Sequence, residues 1–199
     1  QGALTPDAIA YYCNAASVED VKAAIDGGAD GIGLFRTEFL FMSGTALPTE
    51  DEQYGTYCAA LRACEGKPLT IRTLDVGGDK ALPYLPMAKE DNPFLGLRGI
   101  RFCLAHPEIL RTQLRALVRA AADVADSRLR IMLPMVDVPE EVLEVSAMLD
   151  SVKESLGLTD VPVELGIMIE TPAAVFNAAE LASCCDFFSL GTNDLTQYV

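Results

Sequence analysis

Short apolar runs alternate with longer stretches of helical periodicity along the chain. The short runs are nearly continuous in large apolar and β-branched residues, as expected for parallel strands that are buried on both faces. They predict strands at Ile9–Asn14, Gly31–Arg36, Leu69–Asp75, Leu129–Val136, Glu164–Glu170 and Phe187–Thr192. The helical stretches between them predict helices at Val18–Asp26, Thr49–Cys64, Pro107–Ala125, Pro139–Leu156 and Ala173–Ala182.

This alternation of strands and helices predicts an α/β fold with a parallel sheet. A TIM-type (β/α)8 barrel is favoured over an open doubly wound sheet, because the chain has no G-x-G-x-x-G turn after a strand. A complete barrel takes about 250 residues. The 199 residues therefore predict one domain, residues 1–199, holding an incomplete barrel of about six of the eight units. The chain ends just after a predicted strand, so we expect the barrel to be truncated at its C-terminal side.

Composition and charge narrow the possible functions. The chain has 29 acidic and 15 basic residues and a formal net charge of −14, which disfavours non-specific binding to nucleic acids or anionic membranes. No apolar run approaches the roughly 20 residues that a membrane span needs, and no secretory leader is recognisable. We therefore expect a cytoplasmic protein that binds neither nucleic acid nor membrane, and any anion it binds must meet a local cluster of basic residues.

Charged and polar residues follow the predicted strands. The active site of a parallel β/α fold forms at the carboxyl ends of its strands, so these residues are the candidates for a site. Each also has a simpler interpretation, as a surface ion-pair partner, a tight turn or a helix cap. A site is favoured because all of them fall on one rim of the predicted sheet. The candidates are Arg36, Arg72, Asp75, Lys80, Glu170, Asn193 and Asp194.

The chemistry of this set indicates a phosphorylated acid as ligand. Arginine binds phosphate oxygens in bidentate fashion, and backbone amides of the glycine-containing turns could add donors. Glu170 ends a strand whose faces are both apolar, and an isolated carboxylate is costly there unless a partner compensates it. Glu170 and Asp194 are the hard oxygen ligands that suit Mg²⁺. The sequence therefore predicts a Mg²⁺-assisted anion site.

Six ordered motifs carry a resemblance to a known family. They are GADGIGLFRTEFLFM, IRTLDVGGDKALPY, NPFLGLRGIRF, IMLPMV, GIMIETPAA and DFFSLGTNDLTQY, and they extend from Gly28 to Tyr198. Together they resemble the phosphoenolpyruvate-binding barrel of enzyme I of the bacterial sugar phosphotransferase system. The resemblance covers nearly the whole chain.

The resemblance implies roles for individual residues. In that family the arginines of the R-T-E-F and I-R-T-x-D motifs bind the substrate phosphate, and an asparagine next to the metal-binding aspartate contacts it too. The substrate-binding residues implied here are Arg36, Arg72, Asn193 and Asp194, with Arg98 and Lys80 as further basic positions. The implied Mg²⁺ ligands are Glu170 and Asp194.

The resemblance also implies a reaction and partners. Enzyme I moves the phosphoryl group of phosphoenolpyruvate to a histidine on a swivelling domain and then to a small histidine-containing phosphocarrier protein for sugar uptake, and it forms homodimers through the barrel. This chain lacks the swivelling domain, a later substrate-binding arginine and the cysteine motif that supplies the proton donor. Its one histidine, His106, lies in no phosphohistidine motif. We therefore expect no catalytic residue within the chain, and weak binding of phosphoenolpyruvate without turnover.

Two alternatives remain open from the sequence. The barrel of pyruvate phosphate dikinase or phosphoenolpyruvate synthase shares the arginine and carboxylate rim, although RTEFLFM and GGDKALPY favour enzyme I. A non-catalytic module that binds phosphoenolpyruvate and dimerises is the alternative of another class.

Overall fold

The computed structural model describes residues 9–77, 82, 84–85 and 96–196. These residues form one parallel sheet, in which each strand pairs with the next along the chain. The strands are β1 (Tyr12–Ala15), β2 (Gly31–Phe35), β3 (Pro68–Arg72), β4 (Arg128–Leu133), β5 (Glu164–Ile169) and β6 (Phe187–Leu190). An open doubly wound sheet reverses its strand order at a switch point, whereas this order never reverses. The predicted class is confirmed: six parallel strands form a curled half-barrel with flanking helices.

Four long helices lie beside the sheet and pack against one another in chain order. They are α1 (Val18–Asp26), α3 (Glu50–Ala63), α5 (Pro107–Asp123) and α6 (Pro139–Leu156). Ser17 and Thr49 each form a capping box at the start of a helix, and left-handed Gly157 ends α6. These are ordinary boundary signals, and the predicted bounds of all four helices agree with the structure to within a few residues.

Short helices account for most of the differences from the sequence prediction. The predicted helix at Ala173–Ala182 is divided at Asn177, whose side-chain amide donates to the carbonyl of Asp137 at 2.9 Å. Three further helices, of four to six residues each, were not predicted because they are too short to show helical periodicity. The short helices are α2 (Glu38–Met42), α4 (Ile100–Ala105), α7 (Pro172–Phe176), α8 (Ala178–Leu181) and α9 (Thr192–Leu195).

The two faces of the sheet have different surroundings. On β5, Leu165, Ile167 and Ile169 belong to the apolar core that the helices cover. Because side chains alternate along a strand, Gly166 and Met168 lie on the other, concave face. Glycine is required there, since a Cβ on Gly166 would come within 2.5 Å of the Phe187 ring on β6. Inside the described ranges, no helix has the length and apolar character needed to cross a membrane.

Candidate functional site

A cleft of about 700 Å³ lies at the carboxyl ends of the strands. The structure brings six of the predicted site residues to its walls, although they come from distant parts of the chain. Lys80 lies outside the described residues. The predicted residues that line the cleft are Arg36, Arg72, Arg98, Glu170, Asn193 and Asp194.

Arg72, the last residue of β3, is a buried cation on the cleft wall. Its Nη2 forms ion pairs with Oε1 of Glu38 and, at 3.3 Å, with Oδ2 of Asp75. Burial alone would lower the pKa of Arg72, but the charges of Glu38, Asp75 and Glu170 raise it above the usual value. The guanidinium therefore stays charged although it is buried.

Asp75 connects this arginine to a second one. It is fully buried, and its Oδ1 lies 3.3 Å from Nε of Arg98. Nη2 of Arg98 in turn lies 3.5 Å from Oδ2 of Asp194. A line of alternating charges thus runs from Glu38 through Arg72, Asp75 and Arg98 to Asp194, and it connects α2, the end of β3, the start of α4 and α9.

Glu170 follows β5 and is only 1% exposed. Its Oε1 accepts a 2.8 Å hydrogen bond from the backbone N–H of Met135, a residue in left-handed conformation with φ 57°. Burial raises the pKa of Glu170 to about 7, and the negative charges of Asp75 and Asp194 add to that increase. The amide of Met135 and the charge of Arg72 offset only part of it. A cation between these carboxylates would relieve the electrostatic cost.

The donor set fits Mg²⁺ that is shared with a ligand. Within the ranges that the structure describes, no group of three or more His, Cys, Asp or Glu side chains is arranged as a metal site. Mg²⁺ is commonly held by one or two carboxylates, with water and substrate phosphates completing the coordination. Glu170 and Asp194 are the carboxylates that would hold it, and Asn193 lies beside them on the cleft wall.

Arg36 and α9 complete the rim of the cleft. Arg36 is exposed, and it forms no ion pair with the other described residues. A Cβ on Gly191 would meet Cβ of Glu170 at 2.9 Å, so only glycine lets the start of α9 approach Glu170 this closely. The part of the cleft that the structure describes therefore includes one exposed arginine, two buried arginines and two carboxylates suited to a metal.

The sequence matches the family described as PEP-utilising enzyme, PEP-binding domain, over residues 3–199, where PEP is phosphoenolpyruvate. The chain belongs to this family. The match covers nearly every residue, including all those that form the cleft.

The relatives of this PEP-binding domain confirm the resemblance seen in the sequence. The chain is 52% identical to a multiphosphoryl transfer protein of Rhodobacter capsulatus, over 98% of this chain and 23% of the relative. It is 50% and 48% identical to phosphoenolpyruvate-protein phosphotransferases of Geobacillus stearothermophilus and Bacillus subtilis, over 93% of this chain and 32% and 33% of those proteins. The chain thus spans about a quarter to a third of the length of these relatives.

A solved structure supports the fold of the domain. The fold resembles that of a citrate lyase from Burkholderia xenovorans LB400, with a TM-score of 0.54 and 18% sequence identity. The match covers 98% of this chain and 54% of the lyase chain. At this identity the likeness concerns the fold alone.

Three residues that shape the cleft of the PEP-binding domain were missed by the sequence prediction. Thr37 and Glu38 hold Arg72, and the left-handed backbone of Met135 directs an amide at Glu170. Glu38 is the acidic residue of the R-T-E-F motif, but α2 is too short for the sequence pattern to predict which of its residues are buried. No sequence signal marks a methionine as left-handed, because non-glycine residues seldom adopt that conformation.

We predict that Gly77→Ala destabilises the domain by about 2 kcal/mol. Gly77 has φ 116° and forms an antiparallel bridge with Arg98, and a Cβ there would lie 2.1 Å from the carbonyl oxygen of Leu97. Urea unfolding measures the change. Gly55→Ala is the matched control, because Gly55 lies within α3, nothing lies within 4 Å of its added Cβ, and alanine favours a helix. A Gly77→Ala protein as stable as wild type would contradict the tight fit at this bridge.

Proposed function

We propose that this PEP-binding domain binds PEP together with Mg²⁺, as the substrate-binding part of a phosphotransferase. The phosphoryl group would pass to a protein histidine and then to a small histidine-containing phosphocarrier protein for sugar uptake. Support comes from the cleft at the carboxyl ends of the strands, where three arginines lie near two carboxylates that could bind a metal ion. The names of the relatives, which include phosphoenolpyruvate-protein phosphotransferase, support the reaction.

The charge balance of the cleft carries the proposal of a metal. Among the described residues, three guanidiniums and four carboxylates lie in or beside the cleft, so these seven side chains, when fully ionised, carry one excess negative charge. The guanidiniums are those of Arg36, Arg72 and Arg98, and the carboxylates are those of Glu38, Asp75, Glu170 and Asp194. PEP is itself an anion, so a cation that enters with it, or protonation of a carboxylate, would favour its binding.

Each predicted site residue that lines the cleft has a proposed part. Arg36 and Arg72 bind phosphate oxygens, and Arg98 and Asn193 support the same group. Glu170 and Asp194 hold Mg²⁺, which when bound neutralises charge on the phosphate oxygens. Such positioning and electrostatic stabilisation account for most of the catalysis in phosphoryl transfer.

We assign no catalytic residue within this chain. His106 lies between α4 and α5 with its ring 4.5 Å from that of Phe102, and it does not line the cleft. The acceptor histidine is proposed to belong to another part of a longer protein. Homodimer formation through the barrel and a cytoplasmic location are proposed as well. The relatives favour this function over that of a dikinase or PEP synthase, whose phosphoryl transfer would require ATP, and over a binding module without chemistry.

Calorimetric titration of PEP into the chain, with and without Mg²⁺, tests the proposal. We expect Mg²⁺ to tighten PEP binding and Asp194→Asn to weaken Mg²⁺-dependent binding by about tenfold or more, because one carboxylate ligand is lost. Asp150→Asn, an equal charge change on the exposed side of α6, is the control and should bind as wild type does. PEP affinity that is indifferent to Mg²⁺, or unchanged in Asp194→Asn, would contradict the metal assignment. Absence of binding at millimolar PEP would contradict the proposed binding by this chain.

A further inference from the structure

Two consecutive residues, Thr37 and Glu38, hold both ends of Arg72. Oγ1 of Thr37 donates a 2.9 Å hydrogen bond to the backbone carbonyl of Arg72, and the Glu38 carboxylate pairs with its guanidinium. Thr37 and Glu38 are both buried, although they belong to a loop and a five-residue helix at the cleft. The main chain and side chain of Arg72 are thus fixed from the same point of the chain.

Glu38 is more than a counter-charge. Asp75, which is fully buried, already supplies a negative charge to Arg72. A second buried carboxylate is costly. The second carboxylate oxygen of Glu38, Oε2, is buried without a hydrogen-bond partner. The Glu38 side chain is therefore stabilised chiefly by its contact with Arg72.

The short helix α2 does not depend on this ion pair for its attachment. Its Phe41 is fully buried in the apolar core, and the carbonyl of Phe41 accepts a hydrogen bond from the hydroxyl of Tyr84. Thr37 adds the hydrogen bond to the backbone of β3. Three contacts therefore anchor the segment without Glu38, which leaves the orientation of Arg72 as the role of its carboxylate.

Both carboxylates hold the same atom of the guanidinium. Glu38 and Asp75 form ion pairs with Nη2 of Arg72, and no described residue forms a hydrogen bond or ion pair with Nη1. Nε is buried without a partner. The two carboxylates restrain Nη2 from two sides, which leaves Nη1 as the donor for an anion in the cleft. Arg36, by contrast, is exposed and unpaired among the described residues.

We propose that Glu38 is a positioning residue that fixes the Arg72 guanidinium in the orientation that receives the phosphate of PEP. The inference rests on the proposed function and adds a residue to it. Arg72 is thereby pre-organised, whereas Arg36 binds the ligand from the exposed side of the cleft. A misplacement of about 1 Å at such a group costs on the order of a hundredfold in rate. The benefit of a fixed orientation can therefore outweigh the free-energy cost of burying the Glu38 carboxylate.

Glu38→Ala and Glu38→Gln separate orientation from charge. Glutamine keeps an oxygen that accepts from Nη2, whereas alanine removes it. We expect Glu38→Ala to bind Mg²⁺ and PEP about tenfold to a hundredfold more weakly, and Glu38→Gln to bind within a few-fold of wild type. Glu164→Ala is the matched control, because it breaks the 2.5 Å ion pair with Arg130 at the opposite end of the same sheet.

Nitrogen NMR of the arginine side chains supplies a readout that does not depend on PEP. The Arg72 signal, assigned by its loss in Arg72→Lys, should show restricted guanidinium rotation in wild type and in Glu38→Gln. Faster rotation is expected in Glu38→Ala. An unchanged Arg72 signal in Glu38→Ala would overturn the positioning role, whether or not the chain binds PEP. PEP binding by Glu38→Ala as tight as that of wild type would overturn its link to the phosphate. Wild type that shows restricted rotation but no PEP binding would instead contradict the proposed function.

Discussion

Replacing Arg72 with methionine is expected to lower the free energy of unfolding by about 3–5 kcal/mol and to abolish PEP binding. Methionine keeps the apolar stem but removes the charge, so Glu38 and Asp75 are left as buried carboxylates with less compensation. A buried carboxylate without its partner costs far more than a surface ion pair contributes. The loss of PEP binding is expected because the guanidinium that is proposed to bind the phosphate is removed.

Urea unfolding and calorimetry measure the two effects of Arg72→Met. Arg130→Met is the control on the same face of the sheet, and it should cost less than about 1 kcal/mol because its partner Glu164 is exposed. Adding Glu38→Gln and Asp75→Asn to Arg72→Met should restore part of the stability, but not the binding. A stability loss no larger than that of Arg130→Met would show that the buried charges are compensated in another way.

Glu170→Gln is expected to stabilise the metal-free domain by about 3 kcal/mol at pH 8 and by less than about 1 kcal/mol at pH 5. Burial raises the pKa of Glu170 from 4.5 to about 7, so the folded state holds its proton more tightly than the unfolded state does. The stability that this proton contributes is complete below pH 4.5 and is lost as the pH rises through 7. Glutamine is neutral throughout and keeps an oxygen that can accept from the Met135 amide.

The pH dependence of urea unfolding, compared between wild type and Glu170→Gln, checks this result. Mg²⁺ should reverse the order at pH 8, because it stabilises the ionised carboxylate of wild type and finds one ligand fewer in the variant. Equal stability of the two proteins at pH 8 without Mg²⁺ would mean that the Glu170 carboxylate is better solvated than its burial indicates.

Much of the site could be predicted because strand ends are easy to locate in a parallel fold. The runs that end near Arg36, Arg72 and Glu170 are long and apolar, so their carboxyl ends were fixed within a few residues. The rule that such ends share one rim then grouped Asn193 and Asp194 with them. The structure brings all five to one cleft, while their roles stay predictions that the titrations address.

The supports of these residues could not be predicted, since they depend on tertiary packing. Asp75 was recognised as a rim residue, but its position between Arg72 and Arg98 depends on how the chain returns at the Gly77–Arg98 bridge. The Thr37–Glu38 contact depends on a helix shorter than two turns. Local sequence patterns predict which residues are buried and which segments are helices or strands. They do not predict which neighbour a given side chain contacts.

The strand order has a consequence for the exchange of backbone amides with solvent. Because each strand pairs only with its neighbours in the chain, local opening can proceed from one end of the described sheet without disturbing the other. β6 pairs with β5 alone in that sheet, and Leu190 at its end is 76% exposed. Asn193 and Asp194 follow directly, so one small opening of β6 would divide the cleft into two halves, with Asn193 and Asp194 in one and Glu170 and the buried arginines in the other. A ligand that bridges the two halves would therefore slow deuterium uptake most in β6.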